Sequence, residues 1–166
     1  FGMFKAIISL FLWPIWFLYL LVILPVFLIF ILIVNKKYFH YFLRPMSYFF
    51  CLLGGQLIKQ TGIIPDPKDG PYLYLFNHQS LFDHFVIGTY INHYVTAVAK
   101  HEHLTYPLWG QVAKFYGIVP INRTNIKKAL SSLKVVEDSI VNDNVSVLIA
   151  PEGTRTRDGY LGVFKK

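Results

Sequence analysis

The longest uncharged stretch of the chain runs from Ala6 to Val34. As one straight α-helix, its 29 residues would extend about 43 Å, whereas the hydrocarbon core of a bilayer needs only about 20 apolar residues. Pro14 and Pro25 interrupt the stretch, and proline inside a helix kinks or breaks it. We therefore expect either one long, kinked transmembrane helix or a hairpin of two shorter helices that dips into one leaflet.

Basic residues flank this stretch on both sides. Lys5 precedes it, and Lys36, Lys37 and Arg44 follow it, so the stronger positive flank is the C-terminal one. Positive charge on both flanks gives no clean topology by the positive-inside rule, and we expect both flanks near the cytosolic surface. The stretch is too long for the apolar region of a cleaved signal peptide and lacks a small-residue cleavage site. The sequence predicts a membrane protein whose globular part lies on the cytosolic side.

Charge and cysteine content narrow the classes of partner. The 166 residues carry a net charge of +7, and 54% of them are hydrophobic. A basic chain fits nucleic acid in general, but a basic chain with a membrane segment fits anionic lipid head groups and phosphorylated substrates better. We therefore expect membrane lipids as partners and no nucleic acid. The single cysteine, Cys51, excludes an internal disulfide.

The chain divides into a helical part and a mixed part. We expect membrane-embedded and interfacial helices in residues 1–60 and an α/β domain in residues 61–166. The aromatic-rich segment Tyr38–Ile58 fits a helix at the membrane interface, where amphipathic rings prefer to lie, although an ordinary buried helix explains it nearly as well. Thr61–Gly70 contains two glycines and two prolines and reads as a turn-rich connection.

Beyond residue 70, apolar runs typical of buried strands alternate with amphipathic segments typical of helices. Strands are predicted over Tyr72–Phe76, Tyr94–Ala99, Gly117–Ile121 and Val145–Ala150, and helices over Leu81–Thr89, Pro107–Phe115 and Asn125–Asn142. In the last helix one face carries Ile126, Leu130, Leu133, Val136 and Ile140, and Thr124 or Asn125 can cap its start. This alternation predicts the α/β class, with a sheet covered by helices.

A polar cluster follows the first predicted strand directly. It contains His78 and, five residues later, Asp83. That spacing suits a histidine in a turn and a carboxylate in the first turn of the next helix. A carboxylate that accepts the Nδ1 proton of an imidazole leaves Nε2 free to act as a base. The alternative is that both residues only stabilise the start of the helix.

Three segments resemble the glycerolipid acyltransferases, specifically the 1-acylglycerol-3-phosphate acyltransferases. Asn77–Asp83 reads Asn-His-Gln-Ser-x-x-Asp and resembles the H-x4-D signature of that family, and Gly117–Arg123 and Pro151–Arg155 resemble two further blocks. The resemblance covers roughly Leu73 to the end of the chain, and the blocks occur in the family's order behind a membrane segment. It implies an acyltransferase fold, with His78 as the general base and Asp83 as the residue that orients it.

The same resemblance implies an acceptor site in the second and third blocks. Arginine binds phosphate bidentately and glycine lets backbone approach a ligand closely, but surface turns and an edge-strand proline would explain these residues equally well. His101 and His103 are too few to hold a zinc ion, so no metal site is expected. The implied substrate-binding residues are Gly117, Pro120, Arg123, Glu152, Gly153, Thr154 and Arg155, with Arg123 and Arg155 holding phosphate.

The resemblance further implies transfer of a fatty acyl group from acyl-CoA or acyl carrier protein to 1-acyl-sn-glycerol-3-phosphate, which gives phosphatidic acid. No cofactor beyond the acyl donor is expected. Alternatives are another acceptor, such as glycerol-3-phosphate or a lysophospholipid, or a non-catalytic, membrane-anchored phospholipid-binding protein. The last would explain the aromatic and basic residues but not His78 with Asp83. The family's fourth block should follow Phe164, so we expect that the sequence is truncated at its C-terminus.

Overall fold

The computed structural model describes residues 2–80, 82–156 and 158–164. Helix α1, Gly2–Ile33, is continuous and contains both Pro14 and Pro25. The stretch therefore forms one helix rather than two shorter ones. Within α1, Ala6–Phe30 has a mean hydropathy of 2.5 over 25 residues, and in the part of the chain that the structure describes it is the one segment long and apolar enough to cross a membrane.

Helix α2, Lys36–Leu53, folds back along α1 after a short turn. The side chain of Asn35 accepts a hydrogen bond from the Lys37 amide at 3.0 Å and caps the helix. The helix ends five residues before the predicted Ile58, because Gly54 and Gly55 follow and Gly55 has a φ of 75°. One face is buried, and the other exposes an aromatic row of Tyr38, Tyr41, Phe42, Tyr48 and Phe49.

The remainder is an α/β fold built on one parallel sheet, as predicted. Each predicted strand and helix is found, with boundaries that move by two residues or fewer. The strands are β1 (Leu73–Leu75), β2 (Val95–Lys100), β3 (Val119–Ile121) and β4 (Ser146–Ile149), and the helices between them are α3 (Asp83–Tyr90), α4 (Trp109–Tyr116) and α5 (Ile126–Val141). The side chain of Asn125, which accepts from the Lys128 amide, caps α5.

The strand order in the sheet is β1-β4-β2-β3, and all three pairings are parallel. Parallel strands point the same way, so all four carboxyl ends lie along one edge of the sheet. Residues that follow β1, β4, β2 and β3 are therefore lined up in that order along this edge. Open α/β sheets bind their ligands at this kind of edge.

The buried core joins the helical part to the sheet. Phe39 of α2 is fully buried and packs with Val112 and Tyr116 of α4 and with Phe27 of α1. On the other side of the sheet, Val136 of α5 packs with Val119 and Val147. Because α1, α2 and α4 share one apolar cluster, the helices are positioned directly against the domain that carries the sheet. The division of the chain after residue 60 stays a prediction.

The apolar face of α5 is covered along only part of its length. Val136 is buried and Ile140 packs beside it, whereas Ile126, Leu130 and Leu133 are exposed. The apolar face that these residues form is therefore covered only in the second half of the helix. In the first two turns the contact with the short edge strand β3 is polar, from the Ser132 hydroxyl to the Pro120 carbonyl, and it leaves the apolar side chains uncovered.

Candidate active site

His78 and Asp83 form a hydrogen-bonded pair at the carboxyl end of β1. The His78 Nδ1 atom lies 2.6 Å from the Asp83 Oδ2 atom, and each side chain is 16% exposed. A carboxylate at this position accepts the Nδ1 proton and leaves the lone pair on Nε2. The pair therefore has the geometry of a general base with its orienting carboxylate.

The turn between the two residues explains their spacing. Asp83 is the first residue of α3, and its Oδ2 atom also accepts hydrogen bonds from the backbone amides of Gln79, at 2.8 Å, and Ser80, at 2.9 Å. The Ser80 hydroxyl in turn accepts a hydrogen bond from the Phe82 amide. The carboxylate thus binds the turn that carries His78, so the base and its partner are fixed by the same loop.

Aromatic rings surround the His78 imidazole on its apolar side. The rings of Phe76 and His84 both meet it edge to face, with centroids 5.7 Å away. Edge-to-face packing of this kind holds a ring in place and displaces water from its faces. The rotation of His78 is therefore restricted by packing as well as by Asp83.

The segment after β4 is bonded to the His78 loop at several points. Glu152 is 2% exposed, and its Oε1 atom accepts a hydrogen bond from the His78 amide at 3.2 Å. The Thr156 amide donates to the His78 carbonyl at 2.8 Å, and the Gln79 side chain donates to the Gly159 carbonyl at 3.1 Å. Gly153 makes the tight turn after β4 with a φ of 63°. The third sequence block therefore lies against the first, as β1 and β4 are neighbours.

Basic side chains gather at the ends of the other three strands. Arg155 follows β4, Lys100 ends β2, His103 lies in the short 3-10 helix after β2, and Arg123 follows β3. Burial lowers the pKa of His103, and the positive charges of Arg123, Lys100 and Arg155 lower it further. Burial also lowers the pKa of Arg123, against the opposing charge of Glu102. Arg123, Lys100 and Arg155 all act on His103, so they form one positive region along the edge that begins with His78, in which Lys100 is paired with Glu102 at 3.1 Å.

Two residues of the second block lie elsewhere. Gly117 ends α4 with a φ of 90°, at the amino end of β3, which is the opposite edge of the sheet from Arg123. Pro120 lies inside β3 and is exposed on this edge strand, where its carbonyl accepts a hydrogen bond from the Ser132 hydroxyl. The structure therefore does not bring Gly117 or Pro120 to the positive region. Their local roles are a helix C-cap and an edge-strand proline.

Sequence reasoning missed His103 and Gly162. In the sequence, His103 was considered only as a metal ligand together with His101. Its position near Arg123 and Arg155 depends on the parallel arrangement of the strands. Gly162 belongs to no block, yet its amide donates to the Glu152 Oε2 atom at 2.8 Å. Within residues 2–80, 82–156 and 158–164, no three His, Cys, Asp or Glu side chains are grouped as metal ligands would be.

Comparison with known proteins assigns the family. The family described as Acyltransferase matches residues 57–166, which is more than half of the chain and includes all three blocks. The chain belongs to this acyltransferase family.

Relatives within the acyltransferase family share a common description. The chain is 40% identical over 94 residues to 1-acyl-sn-glycerol-3-phosphate acyltransferase from Cocos nucifera, a match that covers 57% of this chain and 30% of that protein. A protein of the same description from Helicobacter pylori is 33% identical over 116 residues, covering 70% of this chain and 47% of that protein. The chain therefore spans less than half the length of these curated relatives.

A solved structure confirms the fold of this chain. The crystal structure of the 1-acyl-sn-glycerophosphate acyltransferase PlsC from Thermotoga maritima aligns with 99% of this chain and 67% of that chain, with a TM-score of 0.75 and 20% sequence identity. The alignment includes α1 and α2, so the helical part and the sheet recur together in that protein. The predicted α/β fold with an N-terminal apolar helix is confirmed.

Proposed function

We propose that the protein transfers a fatty acyl group from a thioester to the free hydroxyl of 1-acyl-sn-glycerol-3-phosphate and so forms phosphatidic acid. The observation that carries this proposal is the His78–Asp83 pair at one end of an edge whose remaining strand ends carry Arg155, Lys100 and Arg123. This arrangement places a base for a hydroxyl beside cations for a phosphate. The family membership and the descriptions of its relatives support the same reaction.

The reaction begins with the removal of a proton by His78. His78 Nε2 removes the proton from the acceptor hydroxyl while that oxygen attacks the thioester carbonyl carbon, and Asp83 stabilises the imidazolium that forms. The tetrahedral intermediate collapses with loss of the thiolate, which takes the proton from the imidazolium. A thiol has a pKa of about 8.5, so the thiolate is a good leaving group. The products are the ester and the free thiol, and no acyl-enzyme is needed.

The positive region supplies the recognition of the acceptor. Arg155 follows β4, the strand next to β1, so it is the cation nearest in the sheet order to His78. A guanidinium binds a phosphate through two parallel hydrogen bonds and fixes its orientation as well as its charge. A phosphate held there would present the glycerol hydroxyl toward the base. With the phosphate at Arg155 and the hydroxyl at His78, the acceptor is already oriented for the attack, so the attack costs little further entropy.

The N-terminal helix would hold the protein at the membrane, where its lipid substrate is dissolved. Both the lyso-lipid acceptor and the two-tailed product partition into a bilayer, and α1 is long enough and apolar enough to span one. The basic residues after α1 favour the cytosolic leaflet, where acyl-CoA and acyl carrier protein are found. We therefore place the catalytic face at the cytosolic surface of the membrane, with acyl-CoA or acyl carrier protein as the donor.

A transfer assay with purified protein tests the proposal. Acyl-CoA and acyl carrier protein are each offered with 1-acyl-glycerol-3-phosphate, glycerol-3-phosphate and a lysophospholipid with a blocked phosphate. We expect the first acceptor to be used best with at least one of the donors. Efficient use of either other acceptor in preference would show that the acceptor is wrong. Binding of acidic phospholipid with no transfer to any acceptor would favour a non-catalytic lipid-binding protein.

A further inference from the structure

The segment after β4 forms a loop whose far end is hydrogen-bonded to Glu152, near the residue where it begins. We call residues 153–156 and 158–162 the closing loop, since the loop begins after Glu152 and ends where the Gly162 amide donates to the Glu152 Oε2 atom at 2.8 Å. Between these ends the loop is bonded to the His78 turn through Thr156 and Gly159. Arg155 lies inside this closed loop, and its own side chain is exposed.

Glu152 joins two segments that are otherwise far apart in sequence. Its Oε1 atom accepts from the His78 amide, and its Oε2 atom accepts from the Gly162 amide. The side chain is 2% exposed, so both oxygens are committed to backbone and are shielded from any bound acceptor. A buried carboxylate that accepts backbone amides through both oxygens is held firmly, because charge-assisted hydrogen bonds are the stronger kind.

Gly162 has no room for a side chain at this contact. A Cβ atom at this position would lie 2.7 Å from the Glu152 Oε2 atom and 3.6 Å from its Cδ atom. Any other residue would therefore push the carboxylate away or pull the amide off it. A side chain at position 162 would therefore disturb the hydrogen bond between Glu152 and the Gly162 amide.

We propose that Glu152 and Gly162 are positioning residues that set the distance between the base His78 and the phosphate ligand Arg155. Glu152 holds the backbone of His78 with one oxygen and the far end of the closing loop with the other. The loop between them carries Arg155. This inference rests on the proposed function for its kinetic consequences, and it moves Glu152 from the acceptor-binding role that the resemblance implied to a role that acts through the backbone.

The experiment compares Gly162→Ala and Glu152→Gln with Val163→Ala in the membrane-bound protein. Val163 adjoins Gly162 and is 92% exposed, so its substitution controls for a change at this end of the loop. The first readout is hydrogen exchange of the amides in residues 76–80. The second is kcat and KM for the acceptor, measured beside KM for the donor. Glutamine keeps the shape of Glu152 and one of its acceptor oxygens, so this variant retains the local packing.

We expect Gly162→Ala to speed exchange in residues 76–80, although these residues lie far away in sequence. Its kcat/KM for the acceptor should fall on the order of ten- to a hundredfold, the worth of one charge-assisted hydrogen bond, with the donor KM unchanged. Glu152→Gln should also speed this exchange and lower this kcat/KM, because the glutamine nitrogen cannot accept a hydrogen bond from a backbone amide. Val163→Ala should behave as wild type in both readouts.

Exchange and kinetics of Gly162→Ala that match those of Val163→Ala would overturn the proposal. An equal loss for donor and acceptor would also overturn it, since that result describes a general loss of structure. If the wild type transferred no acyl group at all, the proposed function would fail, and the exchange comparison would still decide whether Glu152 holds the two segments together.

Discussion

The Oδ2 atom of Asp83 accepts hydrogen bonds from two backbone amides as well as facing the Nδ1 atom of His78. The two amides fix the direction of the carboxylate before any substrate arrives. The imidazole is therefore held in one tautomer by a group that cannot rotate away. Such pre-organisation lowers the cost of reaching the transition state, because the charge that forms on His78 meets a partner already in place.

Replacing Asp83 with Asn should lower kcat on the order of a thousandfold or more, since the imidazolium loses its counter-charge and the tautomer is no longer enforced. KM for the acceptor should change little, because Asp83 does not lie among the phosphate ligands. Steady-state kinetics checks this prediction, with the exposed Asp143→Asn on another loop as the matched control. Equal kcat values for the two variants would remove Asp83 from the mechanism.

Arg155 gives the second prediction at this scale. Arg155→Ala should raise the acceptor KM by about ten- to a hundredfold and leave the donor KM little changed, since one charge-assisted contact is worth about 1.5–3 kcal/mol. Lysine at position 155 should restore only part of the loss, because it keeps the charge without the bidentate fork. Kinetics with phosphorylated and phosphate-free acceptors measures the effect, and the exposed Lys68→Ala is the control. An equal loss with both acceptors would show that Arg155 is structural.

The packing of α2 against the domain depends on a buried histidine. His40 is fully buried, with its Nδ1 atom 2.7 Å from the Tyr116 hydroxyl of α4 and its Nε2 atom 2.9 Å from the Ile91 carbonyl at the end of α3. The neutral ring satisfies both contacts when Nε2 donates to the carbonyl and Nδ1 accepts from the hydroxyl. Burial lowers the pKa of His40; the bond to Ile91 opposes this shift, whereas His93 and Arg44 add to it.

The lowered pKa makes the stability of this junction depend on pH. An unfolded histidine has a pKa of about 6.5, so the unfolded chain takes up a proton before the folded one does. The contribution of His40 is complete above about pH 6.5 and is lost as the pH falls below it, by at most about 1.4 kcal/mol per pH unit. Thermal unfolding in detergent between about pH 8 and pH 5.5 should therefore show a shallower pH dependence in His40→Gln.

The exposed His101→Gln provides the control for that comparison and should keep the wild-type pH dependence. His40→Gln should also be less stable than wild type at the higher pH, because glutamine cannot replace both contacts of the ring. An unchanged pH dependence in His40→Gln would contradict the account of α2 as held by a neutral histidine.

Hydropathy and periodicity predicted the helices and strands well, because both patterns depend only on residues that are close in sequence. The apolar run of α1, the capped face of α5 and the four short strands are all visible as patterns. The end of α2 was missed, since the apolar residues Leu57 and Ile58 continue the pattern beyond Gly54 while the backbone turns at Gly55. The exposed half of α5 was missed because burial depends on how far the sheet extends, which no pattern within the helix records.

The part of the site that one loop forms could be predicted from the sequence. The part that several strand ends form together was harder to predict. His78 and Asp83 lie in one turn, so their spacing already indicated the pair. The order of strands decides which other residues join them, and the sequence does not contain that order. Hence the surroundings of His103, the position of Gly117 at the amino end of β3 and the backbone contacts of Glu152 required the fold.

The apolar helix and the catalytic turn are neighbours in the whole molecule. Trp16 of α1 packs with Phe50 of α2, with ring centroids 4.7 Å apart, and Phe50 packs with Phe82 at 5.4 Å. Phe82 directly precedes Asp83 in sequence. Gly54 permits this packing, since a Cβ atom there would lie 2.6 Å from the Phe82 ring. An aromatic chain therefore connects the apolar helix α1 with the loop that carries the base.

This arrangement predicts that the protein is embedded, with its catalytic face toward the cytosol. Carbonate or high salt should leave it in the membrane fraction, and only detergent should release it. Cys51 is the sole cysteine and is buried, which raises the pKa of its thiol to about 11 and keeps it unreactive. A single cysteine introduced as Tyr160→Cys, an exposed position in the closing loop, is therefore a selective probe of sidedness.

Membrane-impermeant maleimide should label Tyr160→Cys only after the membrane is opened or from the cytosolic side. The unsubstituted protein should remain unlabelled under the same conditions. Release by carbonate would exclude an embedded α1, and labelling from the opposite side in sealed vesicles would overturn the proposed orientation.

The central claim is that His78 is the base, and one comparison of two histidine variants tests it most directly. His93 lies before β2, at the edge of the sheet opposite His78, so His93→Ala is the same substitution away from the site. Both variants are purified in detergent, checked for folding, and assayed for transfer to 1-acyl-glycerol-3-phosphate. The account predicts that His78→Ala folds and associates with membranes but loses turnover on the order of a thousandfold or more, while His93→Ala retains it. Turnover by folded His78→Ala at the level of His93→Ala would contradict the account.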